Sequence, residues 1–300
     1  MSIDVTVIGS TNLDITATAP RLPGPGETLL GSSLTRSPGG KGANQALAAS
    51  RAGASVRFLT AVGTDSAAGE ALALLEADGV DLGHALRSGE APTGTALICV
   101  DGDGENTIIV ISGANAELGA DAVHERAAAI EGITVLQGEI PADGLAAAVR
   151  LAPGRVVLNL APVIEVPRPV LMAADPLVVN EHEGALSLAQ LGGDPTGLGD
   201  EEVVAALRAR GVRSVVMTRG AKGAVVSDDA FTGSVDSVAV RAVDATGAGD
   251  AFVGALAARL AEGETLADAA AYAARFAADT VTRPGAQASY PAKAARVVGH

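Results

Sequence analysis

The sequence predicts an α/β fold, with a mainly parallel central sheet, helices on both faces and a small β-sheet lid. Two observations predict it. Along most of the chain, short apolar strand-like runs alternate with amphipathic or alanine-rich helical runs, the rhythm of a parallel sheet crossed by helices. Two passages break that rhythm, one turn-rich and one an alternating hairpin, and they read as a lid built from about residues 12–36 and 93–112. With no low-complexity linker or internal repeat, residues 1–300 read as one domain.

The elements follow in order. Residues 3–9 form a buried first strand, 22–28 a turn-rich passage and 28–35 a loosely alternating strand. The run Gly39-Gly40-Lys41-Gly42-Ala43-Asn44 opens an alanine-rich helix to Ala52, with Gly53 as its stop. A strand at 55–62 and a helix at 67–78 come next. The alternating runs 95–100 and 106–111 flank Asp101-Gly102-Asp103-Gly104-Glu105, a hairpin signal. Strands are then expected at 133–137, 156–160, 177–180, 214–218 and 224–227, with a β-type run at 238–243. Helices are expected at 121–131, 143–151, 200–210, 250–262 and 266–282.

Composition narrows the function. A hydrophobic content of 48% supports a sizeable core, built from Ala, Val and Leu because aromatics are only 2%. Few aromatics argue against stacking on bases, and a net charge of −14 argues against a phosphate-backbone or anionic-membrane partner. Cys99 is the only cysteine, so no intrachain disulfide forms, as suits a reducing cytoplasm. No signal peptide or membrane-length apolar run is expected. His84, His124, His182 and His300 lack metal-ligand spacing.

The most informative stretch is Asp244-Ala245-Thr246-Gly247-Ala248-Gly249-Asp250-Ala251-Phe252, a glycine-rich turn entering a helix. Unpaired N–H groups and the helix dipole favour anionic oxygen there. Asp250 beside them could take a proton from a hydroxyl, and the pair points to phosphoryl transfer to an alcohol. The alternative is a packing turn whose Asp is only a cap. No G-x-x-x-x-G-K-[ST] loop and no early G-x-G-x-x-G fingerprint occurs. Ligands of open parallel sheets bind beyond the strands' carboxyl ends. Asn12, Asp14, Glu139, Asn159, Asn180, Glu183, Thr218, Gly220 and the 244–250 run all fall at such ends.

Together these runs resemble the PfkB family of carbohydrate kinases, and within it the ribokinase branch. The resemblance rests on Gly39-Gly40-Lys41-Gly42-Ala43-Asn44-Gln45-Ala46, the 244–252 run, Asn180-Glu181-His182-Glu183 and Thr218-Arg219-Gly220-Ala221-Lys222-Gly223. Gly9-Ser10-Thr11-Asn12-Leu13-Asp14, Ser112-Gly113-Ala114-Asn115 and Thr282-Arg283-Pro284-Gly285-Ala286-Gln287 extend it over nearly the whole chain. It implies a ribokinase-like fold and ATP-dependent phosphorylation of D-ribose at the 5-hydroxyl. Asp250 would be the general base, and Gly247, Ala248 and Gly249 the anion hole. Asn12, Asp14, Gly40, Lys41, Asn44, Glu139 and Asp250 would bind sugar. Asn180, Thr218, Gly220 and Gly249 would bind nucleotide, in an aliphatic adenine pocket.

The resemblance also implies metals. Glu183 would hold Mg2+ through water, and Asp244, Thr246, Thr280, Arg283, Gly285 and Ser289 a K+ ion. Thr280 stands where some relatives carry Ala, and His182 is given no role. It further implies a homodimer joined through the lid. The apolar residues Leu97, Cys99, Ile109 and Ile111 would be covered in part by sugar and otherwise by a second copy. Three alternatives stand: another PfkB sugar kinase such as a deoxyribokinase, a catalytically idle sugar-binding protein on this fold, and a Rossmann oxidoreductase lacking its fingerprint.

Overall fold

In the computed structural model, which describes residues 3–293, the first half of the chain builds one edge of the large sheet and all of the lid. The elements run β1 (Val5–Ile8), β2 (Asn12–Thr18), β3 (Ser33–Gly39), α1 (Lys41–Arg51), β4 (Val56–Leu59), β5 (Ala61–Gly63), α2 (Ser66–Ala77), β6 (Leu86–Ser88), β7 (Gly94–Val100), β8 (Asn106–Ile111) and α3 (Ala120–His124). The second half follows as β9 (Ile133–Gln137), α4 (Ala142–Leu151), β10 (Val156–Asn159), α5 (Arg168–Ala173), β11 (Ala174–Asn180), α6 (Glu181–Gln190), α7 (Asp200–Ala209), β12 (Val215–Thr218), β13 (Ala224–Ser227), β14 (Thr232–Val235), α8 (Ala248–Ala261) and α9 (Leu266–Thr280).

Eight strands form the central sheet in the order β14-β13-β12-β11-β10-β9-β1-β4. All pair in parallel except β12 with β13 and β13 with β14. Strand residues alternate between two cores, as the two-residue period of a strand requires. Val7, Val135, Val157 and Val178 pack with α1, α2, α8 and α9. Ile8, Leu136, Leu158, Leu177 and Val179 pack with residues of α4, α5, α6 and α7 on the other face.

A second sheet, β3-β2-β7-β8, is the lid. Its register sets Asp14 beside Ser37 and Ala96, and Ala96 beside Val110, on one face. Ile15, Leu97 and Ile109 share the opposite face. β8 is an edge strand, and every residue in it is exposed. β5 and β6 pair as a short separate sheet.

Four expectations are corrected. No strand forms at 238–243: the chain joins no sheet on its way into the glycine-rich turn, its Val243 N–H donating instead to the Val281 carbonyl at 2.7 Å, because β14 (Thr232–Val235) already takes the sheet edge. The strand expected at 28–35 lies at Ser33–Gly39, set by its pairing with β2 and not by its own weak alternation. The single strand expected at 55–62 breaks after Leu59, and Ala61–Gly63 joins a different sheet. The helix expected at 121–131 ends at His124, followed by a short 3-10 turn at Ala127–Ala129. α5, α6, β6 and β14 carry no clear local signal, because each is short or flanked by capping residues that mimic a loop.

Candidate active site

The site lies where the carboxyl ends of the central strands meet the lid. Its centre is the contact between α1 and α8. Gly254 permits that contact, since a β-carbon there would sit 2.4 Å from the Gln45 carbonyl and 2.6 Å from Ala48 Cβ. Asp250, in the first turn of α8, is buried. One carboxylate oxygen accepts from Asn44 Nδ2 and the other from Gln45 Nε2, both at 2.9 Å.

Around this pair the polar residues expected from sequence converge. Lys41 opens α1, and its backbone N–H donates to Glu139 Oε2 at 2.9 Å. Ser10 Oγ donates to the same oxygen, so Glu139 caps α1 as well as facing the cleft. Negative charge gathers on Lys41: Asp250 foremost, then Glu139 and Glu183, hold its ammonium above the ordinary range against the opposing effect of burial. Asp14 is pushed up to about 6, chiefly by burial and then by the charges of Glu139 and Asp250. Gly40 (φ 87°) lies against the backbone of Asn12, where a β-carbon would come within 2.7 Å of the amide nitrogen. Asn12 is itself buried, with its Oδ1 accepting from Asn115 Nδ2 at 2.8 Å.

The glycine-rich turn stands next to Asp250. Gly247 is left-handed (φ 74°), and Tyr290 Oη donates to its carbonyl at 3.2 Å. Burial, and secondarily the charge of Asp250, raises the Tyr290 hydroxyl well above its ordinary range, so it stays a donor. Among the described residues, the N–H groups of Gly247 and Gly249 make no backbone hydrogen bond, whereas that of Ala248 donates to the Ala245 carbonyl at 3.2 Å. A β-carbon on Gly249 would meet nothing within 4 Å. Protein packing does not require a glycine there, and the open space suits close approach by a ligand.

Two cavities meet at this turn. One, of about 180 Å³, is lined by Lys41, Asn180, Glu183, Thr218, Gly249 and Asp250 among others. The second, of about 420 Å³, is lined mainly by small aliphatic residues including Val238, Val240, Ala274, Ala277 and Val281. Thr218 and Gly249 line both, and Gly220 lines the second. Asn180 and Glu183 form a capping box at the start of α6: Glu183 N–H donates to Asn180 Oδ1 at 2.8 Å and Asn180 N–H to Glu183 Oε2 at 2.9 Å. The cap reading and the cleft reading of these two residues therefore hold together. Burial raises the Glu183 carboxyl above its ordinary range.

Beside the turn, two loops join. Asp244 Oδ1 accepts from Thr246 N–H and Oγ1, and Oδ2 accepts from Gly285 N–H at 2.7 Å. Burial opposes ionisation of Asp244, but these donors outweigh it and hold the carboxyl below its ordinary range. Arg283 N–H donates to the Thr280 carbonyl, and its guanidinium to that of Ser289 at 2.9 Å. These loops supply hard oxygen donors, an ionised carboxylate and backbone carbonyls, of the chemical type that a hard cation takes. The described residues hold no cluster of three or more His, Cys, Asp or Glu with metal-binding geometry. No helix among them is long and apolar enough to cross a membrane.

Sequence reasoning passed over Gln45, Gln137, Gln287, Tyr290 and Asn115 as site residues. One signal was available: glutamine in an alanine-rich helix that is buried over most of its length needs partners, and nothing in the sequence offered them.

The chain is similar to known proteins over nearly its whole length. The chain is 34% identical over 300 residues to a ribokinase of Haemophilus influenzae, covering 96% of this chain and 95% of that one. It superposes on a ribokinase of Thermotoga maritima with TM-score 0.89 and 32% identity, covering 97% of each chain. A ribokinase of Arabidopsis thaliana complexed with ribose and ATP matches with TM-score 0.84 and 28% identity, covering 98% of this chain and 97% of that one. Residues 2–293 match the model of the pfkB family carbohydrate kinase, and the chain belongs to that family.

Proposed function

We propose that this protein transfers the γ-phosphoryl group of ATP to the 5-hydroxyl of D-ribose, releasing ribose 5-phosphate and ADP. The carrying observation is the continuous path from the aliphatic cavity over Gly249 to Asp250, with Asp14, Asn12, Lys41, Asn44 and Glu139 gathered beyond it. The relatives' ribose and ATP supply the identity of the two ligands.

In this reading adenine lies among the aliphatic residues, and the phosphates pass Thr218 and Gly220 toward Gly249. Asp14 and Asn12, with Lys41, Asn44 and Glu139, orient the sugar so that its 5-hydroxyl faces Asp250. Asp250 takes the hydroxyl proton as the oxygen attacks the γ-phosphorus and the bond to the ADP oxygen breaks. Backbone N–H groups of Gly247 and Gly249 stabilise the charge on the transferring group. The Ala248 N–H, which donates to the Ala245 carbonyl at 3.2 Å, is not counted among them. Phosphoryl transfer depends on such positioning and electrostatics.

Glu183 and Asn180 would hold Mg2+ through water, and that ion would neutralise phosphate charge. Asp244, Thr246, Thr280, Arg283, Gly285 and Ser289 would hold K+, Arg283 through its carbonyl only. Ordering of the adjoining turn predicts faster turnover in potassium than in sodium or lithium at fixed magnesium and ionic strength; equal rates in all three would remove the cation site. A reducing cytoplasm suits a chain with one cysteine.

The deciding experiment measures ADP release over a panel of pentoses, hexoses and nucleosides. Ribose should give the highest kcat/KM. Preference for 2-deoxyribose would reassign the sugar, and ADP release that no sugar stimulates would overturn the reading.

A further inference from the structure

We propose that Gln45 and Gln287 are positioning residues, parts of a directed chain of side-chain amides that orients the Asp250 carboxylate. The proposal rests on the reading of Asp250 as the base. The geometry is specific. Gln137 Nε2 donates to Gln45 Oε1 at 2.7 Å, and Gln45 Nε2 donates to Asp250 Oδ1 at 2.9 Å and to Asn159 Oδ1 at 3.0 Å. On the other side, Gln287 Nε2 donates to Asn44 Oδ1 at 2.9 Å, and Asn44 Nδ2 donates to Asp250 Oδ2 at 2.9 Å. All six residues are buried.

The direction of donation carries the argument. From Gln137 and from Gln287, each successive amide gives its hydrogen toward the carboxylate. At the two outer ends, Gln137 Oε1 and Gln287 Oε1 are buried without a partner among the described residues. A network that merely joined α1 to α8 would satisfy both ends, since unpaired buried carbonyls are uncommon and costly. A chain that ends on an anion needs only donors, and its outer acceptors are left over. The outer amides also settle which way each inner amide faces. Without Gln287, Asn44 could turn its oxygen toward Asp250 and repel it; without Gln137, Gln45 could do the same. One donor on each oxygen fixes the plane of the carboxylate, and with it the lone pair that meets the sugar hydroxyl.

Two measurements test this, one of them without turnover. Side-chain amide resonances of Gln137 and Gln287 are followed in wild type and in Asp250→Ala. Both should lose exchange protection and dispersion in the variant, although neither side chain touches residue 250. Unchanged resonances would overturn the chain. In turnover, Gln287→Met should lower kcat by roughly 5- to 30-fold with KM for ribose within about twofold. It should add no further loss in an Asn44→Ala background. Losses that multiply, or an unchanged kcat, would overturn it. A purely structural Gln287 would instead lower the melting temperature and leave kcat of the folded protein intact. Gln45→Met, checked for folding by thermal melt, should match or exceed the Gln287→Met loss. Wild type inactive on every sugar would overturn the kinase reading, while the resonances would still decide the chain.

Discussion

On one side of Asp250, amide and carboxylate side chains hold one another through hydrogen bonds of 2.7 to 2.9 Å. On the other side, beyond Gly249, the cleft is lined mainly by alanines, glycines and valines, with Thr218 and Ser237 its hydroxyl side chains. The sugar side is set by directional bonds before any ligand arrives, whereas the nucleotide side offers shape and backbone. Discrimination among sugars that differ by one hydroxyl requires the first kind of construction, because a missing partner leaves a buried polar group unpaired. Holding a purine face requires only the second.

The sharpest way to break this contrast is at its boundary. Asp250→Asn keeps the shape of the site and removes the proton acceptor. It should lower kcat by at least about 100-fold while sugar binding persists. Retention of more than about a tenth of the wild-type kcat would show that the base lies elsewhere.

The second test sets function against stability. Asp14 has its carboxyl pushed up from 3.8 to about 6, so folding favours the protonated form. Its contribution to stability is fully present below the unfolded value near 4 and is lost as pH rises through about 6. At pH 8 the ionised group therefore costs the fold roughly 1–3 kcal/mol, discounted for partial solvent contact. Asp14→Asn should raise the melting temperature at pH 8, with a smaller gain at pH 5. It should also raise KM for ribose, by about 5- to 150-fold for roughly 1–3 kcal/mol of lost pairing. In wild type, KM should climb as pH falls through about 6. A variant no more stable than wild type at pH 8 would remove the cost of burial from the account.

The same division explains what was legible. Backbone-driven features read well: Ile133–Gln137 and Ala224–Ser227 coincide with the runs expected, and α1, α8 and α9 fall within a few residues of theirs. Their apolar periods are local signals. The segment at 238–243 has a strand's composition, but pairing depends on a free edge that β14 occupies, which no local pattern reveals. Asp250 and the glycine turn were legible because their chemistry is contiguous. Gln137 and Gln287 were not, because each acts on a residue 92 or more positions away.

On the nucleotide side the expected effects are smaller. Val240 is 41% exposed and lines the aliphatic cavity. Val240→Ala removes methyl groups that a bound purine would cover only in part. At ~0.8 kcal/mol per buried methylene, KM for ATP should rise about threefold, with KM for ribose unchanged. A tenfold or larger change in either constant would mean that the nucleotide side is held by more than shape.

The smallest effect on chemistry is expected farthest from Asp250, on the outer face of the lid. The register sets Asp14 and Ala96 on one face and Leu97 and Ile109 on the other, so sugar held by Asp14 covers none of the second face. Leu97 is 43% exposed and Ile109 60%, while Ile108, Val110 and Ile111 on the same edge strand are 52%, 53% and 42% exposed. A four-stranded sheet with an apolar outer face and an open edge needs cover. We propose that a second copy of the chain supplies it across a two-fold axis. Light scattering at micromolar protein should give twice the 29.5 kDa chain mass. Ile109→Lys should give the single-chain mass, because a charged ammonium on that face resists burial against a second copy. Asp250, Gln45 and the glycine turn are untouched by that change, so kcat should stay within about threefold of wild type. KM for ribose should rise by a similar factor as the unsupported lid spends more time open. A wild-type chain that scatters as a monomer would show that the lid closes over sugar without a partner.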